Sequence, residues 1–562
     1  MILAAGVVLI GAYVIYGGYL SKKWGIDSNA KTPAFELEDG VDYVPADTGV
    51  VFGHQFASIA GAGPINGPIQ AAMFGWLPVL LWILLGGVFF GAVQDFAAMY
   101  ASVKNKGRSI GYIIELYIGK LGKQLFLLFT WLFSILVVAA FADIVAGTFN
   151  GFDAKTGETI AANGAVATTS ILFIVFAVGL GFLLKYGKKK TWFNTSVAIV
   201  LLVVSIAIGI FCPIFIKQGT WLIFVYFYVI VACVTPVWAL LQPRDYLNSF
   251  LLIVMMIGAF LGIIIYNPSM NLPVFTAFKL TAANGTVSYL FPTLFVTIAC
   301  GAVSGFHALV SSGTASKQIK NEKSMLPVSF GGMLLESFLA ITALIAAGYV
   351  ATSDGLPAGT PPQLFANAIS IFLSKIGLPQ SVTFTLITLA ISAFALTSLD
   401  SVARVGRIAF QEFFTEDTVE DRAMSPIRRL LVNKYFATIL TLVLAYSLSV
   451  VGYANIWPLF GAANQLLSAL ALIACAVFLK KTKRQGFMLW GPMVCMLGVT
   501  FTALTLKIIE LTKGLFVNVV AGNVLQLIFA ILLLGLGVVV AMEGIKKLSE
   551  NEVTMDLSND MN

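Results

Sequence analysis

Long apolar segments recur along this 562-residue chain, and they restrict its possible folds more than any other feature. A helix needs about 20 mostly apolar residues to cross a bilayer. Segments of that length lie at residues 1–20, 51–75, 76–103, 124–150, 168–187, 194–217, 221–242, 245–266, 286–310, 327–351, 380–400, 431–451, 456–479, 486–509 and 521–545. Only 11% of the residues are charged, against about 25% in soluble domains. The sequence therefore predicts an all-α polytopic membrane protein with about 15 transmembrane helices.

The distribution of basic residues tests this count. If the amino terminus lies outside and the chain alternates sides, the inner loops and carboxyl tail hold 28 of the 34 lysine and arginine residues. Membrane proteins carry such an excess in their cytoplasmic loops. We therefore expect a multi-pass protein of the plasma (inner) membrane, with its amino terminus outside and its carboxyl terminus in the cytoplasm. The net charge of +7 follows from this asymmetry and does not indicate a nucleic-acid partner.

The stretch 52–70, FGHQFASIAGAGPINGPIQ, cannot form one continuous helix, because its glycines and prolines interrupt the helical backbone. Unwound backbone survives at membrane depth only where it is packed in protein or lines a polar cavity. Interrupted helices of this kind form the substrate and ion sites of secondary transporters. We therefore predict unwound backbone over 61–67 and a substrate site formed by Ser58, Gly61, Gly63, Asn66 and Gly67.

Three ionisable residues inside the spans are candidates for proton coupling. His54 and His307 are the two histidines of the chain, both beside glycine-rich stretches, and a histidine titrates near neutral pH. Asp95 lies in an apolar span, where a carboxylate costs roughly 2.5–3.5 kcal/mol and should face a cavity or a partner. The alternatives are a neutral histidine bonded between helices and an aspartate that only locks two helices together. Glu336 is a further carboxylate in a span, with the same two interpretations.

Other polar residues also have two interpretations. Ser311, Ser312 and Thr314 follow His307 and supply hydroxyl oxygens that a sodium ion could use. Asp400 and Arg404 stand four residues apart at the inner end of a span, where they form either an inner gate or an ordinary pair on a helix surface. The segment NIWPLFGAANQLLSA is either an irregular helix or a polar clamp between helices, and we favour the clamp.

The interrupted segment also suggests a repeat. If 51–75 opens an inverted repeat of five spans, its counterpart is 221–242, which runs in the opposite direction and carries Pro236. This predicts an inverted-repeat core with broken helices, like that of the leucine-transporter class. We accordingly divide the chain into a first helix and cytoplasmic loop (1–50), a transporter core (51–400), and additional carboxyl-terminal helices with a short tail (401–562).

Several of these blocks resemble the carbon starvation protein A (CstA) family. They are, in the family's order, GHQFASIAGAGPINGPIQAA, FGWLPVLLWILLGGVFFGAVQDF, QPRDYL, GFHALVSSGTASK, SLDSVARVGRIAFQE and WPLFGAANQLLSAL. The resemblance implies a bacterial or archaeal plasma-membrane protein of nutrient stress, described either as a peptide importer or as a pyruvate–proton symporter. It also implies a fold of the amino acid–polyamine–organocation superfamily, which agrees with the inverted repeat.

Together these features predict a secondary active transporter that imports a short peptide or pyruvate by proton symport and alternating access. The unwound backbone, near the positive end of a half-helix, would hold the substrate carboxylate. The alternatives are a sodium-coupled importer of the same substrates and a membrane sensor that binds the metabolite without moving it. We expect no enzyme activity, no cofactor and no metal, because no metal-ligand cluster or nucleophile–base pair has recognisable spacing. The expected partners are the substrate, the coupling ion and the lipid bilayer.

Overall fold

The structure is a computed structural model of the chain. It describes residues 1–39, 43–153, 156–186, 191–235, 240–281, 287–352, 355–357, 359–415, 425–517 and 520–550.

Helices form nearly all of the regular structure. In chain order the main helices are α1 (Ile2–Lys23), α2 (Thr48–Ile59), α3 (Gly63–Ala71), α4 (Trp76–Lys104), α5 (Ile110–Tyr117), α6 (Lys120–Thr148), α7 (Ala161–Tyr186), α8 (Thr191–Phe211), α9 (Gln218–Val234), α10 (Leu241–Tyr266), α11 (Leu290–Thr297), α12 (Gly305–Gly313), α13 (Glu322–Val350), α14 (Pro361–Ser374), α15 (Gln380–Phe414), α16 (Pro426–Val432), α17 (Lys434–Ser449), α18 (Tyr453–Lys481), α19 (Phe487–Val517) and α20 (Ala521–Ser549). Short helical turns lie at Pro33–Glu36, Ala72–Phe74 and Ala315–Gln318. Strands β1 (Lys279–Thr281) and β2 (Val287–Tyr289) pair antiparallel before α11.

The predicted all-α polytopic class is confirmed. In the described part of the chain, eleven helices are long and apolar enough to cross a membrane, or twelve if α16 and α17, bent by 66°, form one span. The count of about 15 stays a prediction. The remaining predicted segments correspond to α9, which has 17 residues, and to two pairs of short helices, α2 with α3 and α11 with α12.

The chain forms two compact units, each built from separate stretches of sequence. Unit 1 comprises Met1–Phe133, Val274–Ile341 and Trp457–Asn562, and unit 2 comprises Ser134–Pro273 and Thr342–Ile456. Both units therefore draw on residues of the predicted core, 51–400, and of the predicted carboxyl-terminal region, 401–562. The functional division at residue 400 stays a prediction.

The first helix interruption lies in unit 1, where the sequence predicts it, but it is shorter than expected. Helix α2 ends at Ile59 and α3 begins at Gly63, so the unwound backbone covers 60–62 rather than 61–67. Pro64 explains the early restart, because a proline in the first turn of a helix lacks an N–H that would have no helical partner there. At its other end α2 is preceded by Asp47. Lys320 Nζ lies 2.6 Å from that carboxylate and lowers the pKa of Asp47.

A second interruption of unit 1 lies at 298–304, between α11 and α12. The interruption predicted in 221–242 stays a prediction. Gly301 occupies the middle of this break with φ +85°, a left-handed conformation that glycine adopts without steric cost. A Cβ atom at Gly301 would also lie 2.6 Å from Cβ of Ala340. Within 221–242, α9 is continuous to Val234, and Pro236 lies outside the described residues.

Helix α18 supplies the polar groups that satisfy this second break. Trp457 Nε1 donates to the carbonyl of Thr297 (3.1 Å) and Gln465 Nε2 donates to that of Phe295 (2.5 Å), both in the last turn of α11. Asn464 Oδ1 accepts from the backbone N–H of Phe306 (3.1 Å), in the first turn of α12. The predicted polar clamp is therefore the arrangement found, and α18 itself is an uninterrupted helix.

We predict that Gly461→Ala destabilises the protein. A Cβ atom there would lie 2.0 Å from the carbonyl oxygen of Val296, a backbone atom that cannot rotate away. Overpacking of this kind costs about 1–3 kcal/mol, so the unfolding temperature in detergent should fall by about 1–3 °C for a chain of this length. Gly535→Ala on α20 is the matched control, because its Cβ would meet nothing within 4 Å. Equal unfolding temperatures for the two variants would contradict this packing.

Candidate functional site

Unit 1 brings three ionisable side chains into one buried cluster beside the second break. Asp95 Oδ2 lies 3.1 Å from His307 Nδ1. His307 Nε2 lies 3.2 Å from Glu336 Oε2, at ion-pair distance but without the alignment of a hydrogen bond. All three side chains are fully buried. We call Asp95, His307 and Glu336 the acid–histidine cluster.

Three helices position the cluster, and each contributes one member. Asp95 lies on α4, His307 on the first turn of α12, and Glu336 on α13. Neighbouring polar groups fix the first two helices to each other, since Gln94 Nε2 donates to the backbone carbonyl of Ser304 (2.6 Å). The side chain of Gln94 also accepts from Ser468 of α18. The cluster therefore lies on the same elements that enclose the second break.

The number of charges in the cluster decides what it can do. When both carboxylates are ionised and the imidazole is protonated, the three groups carry one net negative charge. One further proton makes the cluster neutral. A buried net charge is expensive in an apolar environment, so the closed site favours the state with the extra proton. A cluster of two acids and one histidine can therefore carry one exchangeable proton.

The cluster could also suggest a metal, because Cys300, His307 and Glu336 place ligand-type atoms within 4.8 Å of one another. The imidazole and the Glu336 carboxylate contact each other directly, at 3.2 Å. We assign the cluster to protons, and the absence of a metal site stays a prediction.

The predicted substrate residues flank the first break, but they have different surroundings. Gly61 is buried in the break, and Ser58 Oγ donates to the carbonyl of His54 in its own helix (2.8 Å). Gly63 and Gly67 form a close contact with α11 and the second break: a Cβ atom at Gly63 would lie 2.5 Å from Cys300 Sγ, and one at Gly67 would lie 2.8 Å from a carbonyl oxygen of α11. These two glycines therefore bring the two interruptions together.

The remaining predicted residues of unit 1 lie on α2 and α12. His54 is half-buried on α2, outside the fully buried cluster. Ser311 Oγ accepts from Gln55 Nε2 (2.7 Å), whereas Ser312 and Thr314 donate to carbonyls of their own helix. The structure thus brings Asp95 and His307 together, and the proposed sodium ligands stay a prediction.

Unit 2 contains a second buried charge network, in which Asp400 pairs with Arg244. Asp400 of α15 accepts from Arg244 of α10 and, at 2.9 Å, from the hydroxyl of Tyr228. The same guanidinium contacts Tyr228, Asp245 (2.8 Å) and Thr397 (3.1 Å). Arg244 and Asp400 are both almost fully buried. The interpretation of Asp400 and Arg404 as a surface pair is therefore wrong, while their role as an inner gate stays a prediction.

Arg404 has a different partner from the one its spacing suggests. Its Nη2 donates to the backbone carbonyls of Ala232 (2.6 Å) and Thr235 (2.9 Å), at the carboxyl end of α9. Arg407 donates to the carbonyl of Cys233 (3.2 Å). Carbonyls in the last turn of a helix have no helical donors and attract cations. The two arginines therefore cap α9.

We predict that Asp400→Asn destabilises the protein by about 3–5 kcal/mol, because it leaves a buried arginine without its counter-charge. Denaturant unfolding in detergent measures this effect, and the double variant Asp400→Asn/Arg244→Gln should recover part of the loss. Glu510→Gln removes a half-exposed carboxylate paired with Lys507 and should change stability by less than about 1 kcal/mol. A loss for Asp400→Asn no larger than for Glu510→Gln would contradict the paired charges.

Sequence reasoning left two central residues outside the predicted site. Glu336 was considered only as an isolated carboxylate, although its position in an apolar span was itself a signal. Arg244 lies between Pro243 and Asp245 and reads as part of a short inner turn, yet it is inside α10. In both cases the missing information was the partner, which lies far away in the sequence.

The fold and the buried site define a class: a polytopic membrane protein with interrupted helices around an ionisable cluster. Comparison with known families then identifies the chain more closely. The model of the family described as carbon starvation protein CstA matches residues 1–356 and 356–503. The chain belongs to this family.

Three relatives are similar to the chain over most of its length. Peptide transporter CstA of Escherichia coli (strain K12) is 33% identical over 87% of this chain and 77% of its own length. Peptide transporter CstA of Bacillus subtilis (strain 168) is 31% identical over 97% of this chain and 96% of its own. Pyruvate/proton symporter BtsT of Escherichia coli (strain K12) is 32% identical over 90% and 81%. Each is named a transporter or a symporter, so the chain is a membrane transporter rather than an enzyme.

Proposed function

We propose that this transporter imports a small carboxylate-bearing nutrient, a short peptide or pyruvate, by proton symport with alternating access. The acid–histidine cluster of unit 1 is the observation that carries the proposal. It is fully buried and it adjoins an interrupted helix. Its two acids and one histidine can carry one exchangeable proton. The names of the relatives, peptide transporters and a pyruvate/proton symporter, support the same range of substrates and the proton.

The proton would enter and leave through Glu336. Asp95 and His307 form a pair of opposite charges that can stay ionised together. One imidazolium cannot neutralise two carboxylates, and Glu336 lies at ion-pair distance from His307 without a hydrogen bond to it. Protonation of Glu336 therefore removes the net charge of the closed cluster. Reopening the site to water on the other side of the membrane lowers the cost of that charge, and the proton leaves. The direction of net transport follows the proton gradient.

The substrate carboxylate would be held by backbone at the interruptions. Helices α3 and α12 both begin at a break. The first N–H groups of a helix have no helical acceptor, and the aligned peptide dipoles make that end positive. An anionic group is therefore favoured there. We retain Gly61, Asn66 and Ser58 as candidate substrate residues, whereas Gly63 and Gly67 act by allowing the close helix contact.

We predict that Glu336→Gln abolishes proton-driven accumulation but retains exchange. A gradient of one pH unit supplies about 1.4 kcal/mol per proton, enough for about tenfold accumulation. In liposomes with an inward proton gradient, wild-type protein should accumulate labelled dipeptide or labelled pyruvate to that extent. The variant should only equilibrate it, because glutamine cannot release a proton. Counterflow against unlabelled substrate, which needs no net proton movement, should persist.

Asp143→Asn is the control for Glu336→Gln. Asp143 is another buried carboxylate, but its partners are the neutral donors Gln218 Nε2 and the backbone N–H of Tyr453, both at 2.7 Å. The accumulation ratio of the Asp143→Asn variant should match that of the wild type. Full accumulation by Glu336→Gln would refute the assignment of the proton to Glu336.

His54 remains a proposed participant in proton coupling, because it lies on the half-helix that leads into the first break. We expect His54→Ala to change the pH dependence of uptake. The matched control is Gly53→Ala, the preceding residue, whose added Cβ would meet nothing within 4 Å. If His54→Ala retains full uptake and an unchanged pH profile, His54 has no part in coupling.

A sodium-coupled importer and a binding-only sensor remain the alternatives, and the same liposomes distinguish them. Accumulation that follows a sodium gradient and ignores the pH gradient would favour sodium and direct attention to Ser311, Ser312 and Thr314. Binding of substrate without accumulation under either gradient, by protein shown to be folded, would favour the sensor.

A further inference from the structure

Buried amide oxygens beside the two interruptions lack hydrogen-bond donors. Asn66 lies on α3 one turn after the first break, and its Oδ1 has no donor among the described residues. Gln465 lies on α18 against the last turn of α11, and its Oε1 is likewise without a donor in the described part of the chain. Both residues are fully buried. An unsatisfied buried acceptor costs about as much as a lost hydrogen bond, so these positions call for an explanation.

The orientation of both amides is fixed by their other contacts. Asn66 Nδ2 donates to the carbonyl of Ala62 (2.9 Å), and Gln465 Nε2 donates to the carbonyl of Phe295 (2.5 Å). A backbone carbonyl accepts only, so rotating either amide by 180° would set oxygen against oxygen. The free group is therefore an acceptor in each case. Gln55, on α2, has a third buried amide oxygen without a donor, although its partner Ser311 would allow either orientation.

Acceptors without donors indicate the chemistry of the missing partner. A keto acid such as pyruvate carries a carboxylate and a carbonyl, which are both acceptors, and it has no N–H to offer. A short peptide or an amino acid carries an ammonium group with three donors and, in a peptide, amide N–H groups. Its carboxylate would still suit the helix amino termini at the breaks. Only a nitrogen-bearing substrate complements both the unsatisfied amide oxygens and the helix amino termini.

We infer that Asn66 and Gln465 determine specificity by accepting hydrogen bonds from the ammonium group of the substrate, and that this transporter prefers short peptides or amino acids to keto acids. The inference rests on the proposed function, since it concerns the same carboxylate substrate at the same interruptions. It goes beyond that proposal by assigning the choice between nitrogen-bearing substrates and keto acids to two side chains.

Competition in reconstituted liposomes tests the inference. Uptake of labelled dialanine is measured against unlabelled dialanine, propionyl-alanine, which has the same carboxylate but no ammonium group, and pyruvate. Loss of a donor that leaves a buried acceptor unpaired should weaken competition about 10- to 100-fold. Propionyl-alanine and pyruvate should therefore need concentrations higher by that factor. Equal competition by dialanine and propionyl-alanine would overturn the role of the ammonium group.

Two near-isosteric variants and one control assign the effect to residues. Asn66→Leu and Gln465→Met remove the acceptors and should bring the ratio between the two competitors close to one. Gln526→Met is the control, because Gln526 also has a buried amide oxygen without a described donor but lies on α20, a helix that neither begins nor ends at one of the two breaks. It should keep the wild-type ratio. If Asn66→Leu and Gln465→Met also keep the wild-type ratio, the two residues do not select the substrate.

The outcomes separate this inference from the proposed function. Proton-driven accumulation of labelled pyruvate without uptake of dialanine or alanine would overturn the inference and leave the proton symport of a carboxylate standing. No accumulation of any of these compounds, by folded protein under a proton gradient, would overturn the proposed function and the inference with it. The wild-type competition alone decides the selectivity, so a variant that fails to fold does not block the test.

Discussion

The need to satisfy unwound backbone in an apolar environment governs the rest of unit 1. Every N–H and C=O group at a helix interruption needs a partner, because lipid supplies none. The structure meets this need at the second break with side chains of α18, since Trp457 and Gln465 satisfy the end of α11 and Asn464 satisfies the start of α12. Glycines at the contacts let the helices come close enough for these bonds. The site therefore depends on a rigid, fully packed neighbour rather than on the broken helices alone.

Each unit contains a buried charge network with two carboxylates around one basic side chain. The identity of that basic side chain decides what the network can do. In unit 2 the base is Arg244, which stays charged at any physiological pH and forms a lasting pair with Asp400. In unit 1 the base is His307, which lies at ion-pair distance from both Asp95 and Glu336 and cannot neutralise both carboxylates. A histidine can lose or gain a proton, whereas an arginine stays charged. The network around Arg244 in unit 2 suits structural locking, and the cluster around His307 in unit 1 suits energy coupling.

Sequence alone predicted much of the fold but less of the site. Span length and the excess of basic residues predicted the helices, and two prolines among glycines marked the first interruption. Pro236 suggested an interruption in 221–242, which stays a prediction. The break at 298–304 contains one glycine, Gly301, and no proline. Spacing suggested Arg404 as the partner of Asp400, whereas the partner lies 156 residues away. Local patterns carry no information about such distant pairs, which only the folded chain brings together.

The most direct test of this account is the movement of protons with the substrate. Liposomes containing the wild-type protein and an internal pH-sensitive dye are mixed with substrate, dialanine or pyruvate, in the absence of any ion gradient. Proton symport predicts that substrate addition acidifies the interior, and that Glu336→Gln removes this acidification while exchange of labelled substrate continues. Substrate uptake with no change of internal pH, and with full dependence on external sodium, would contradict it.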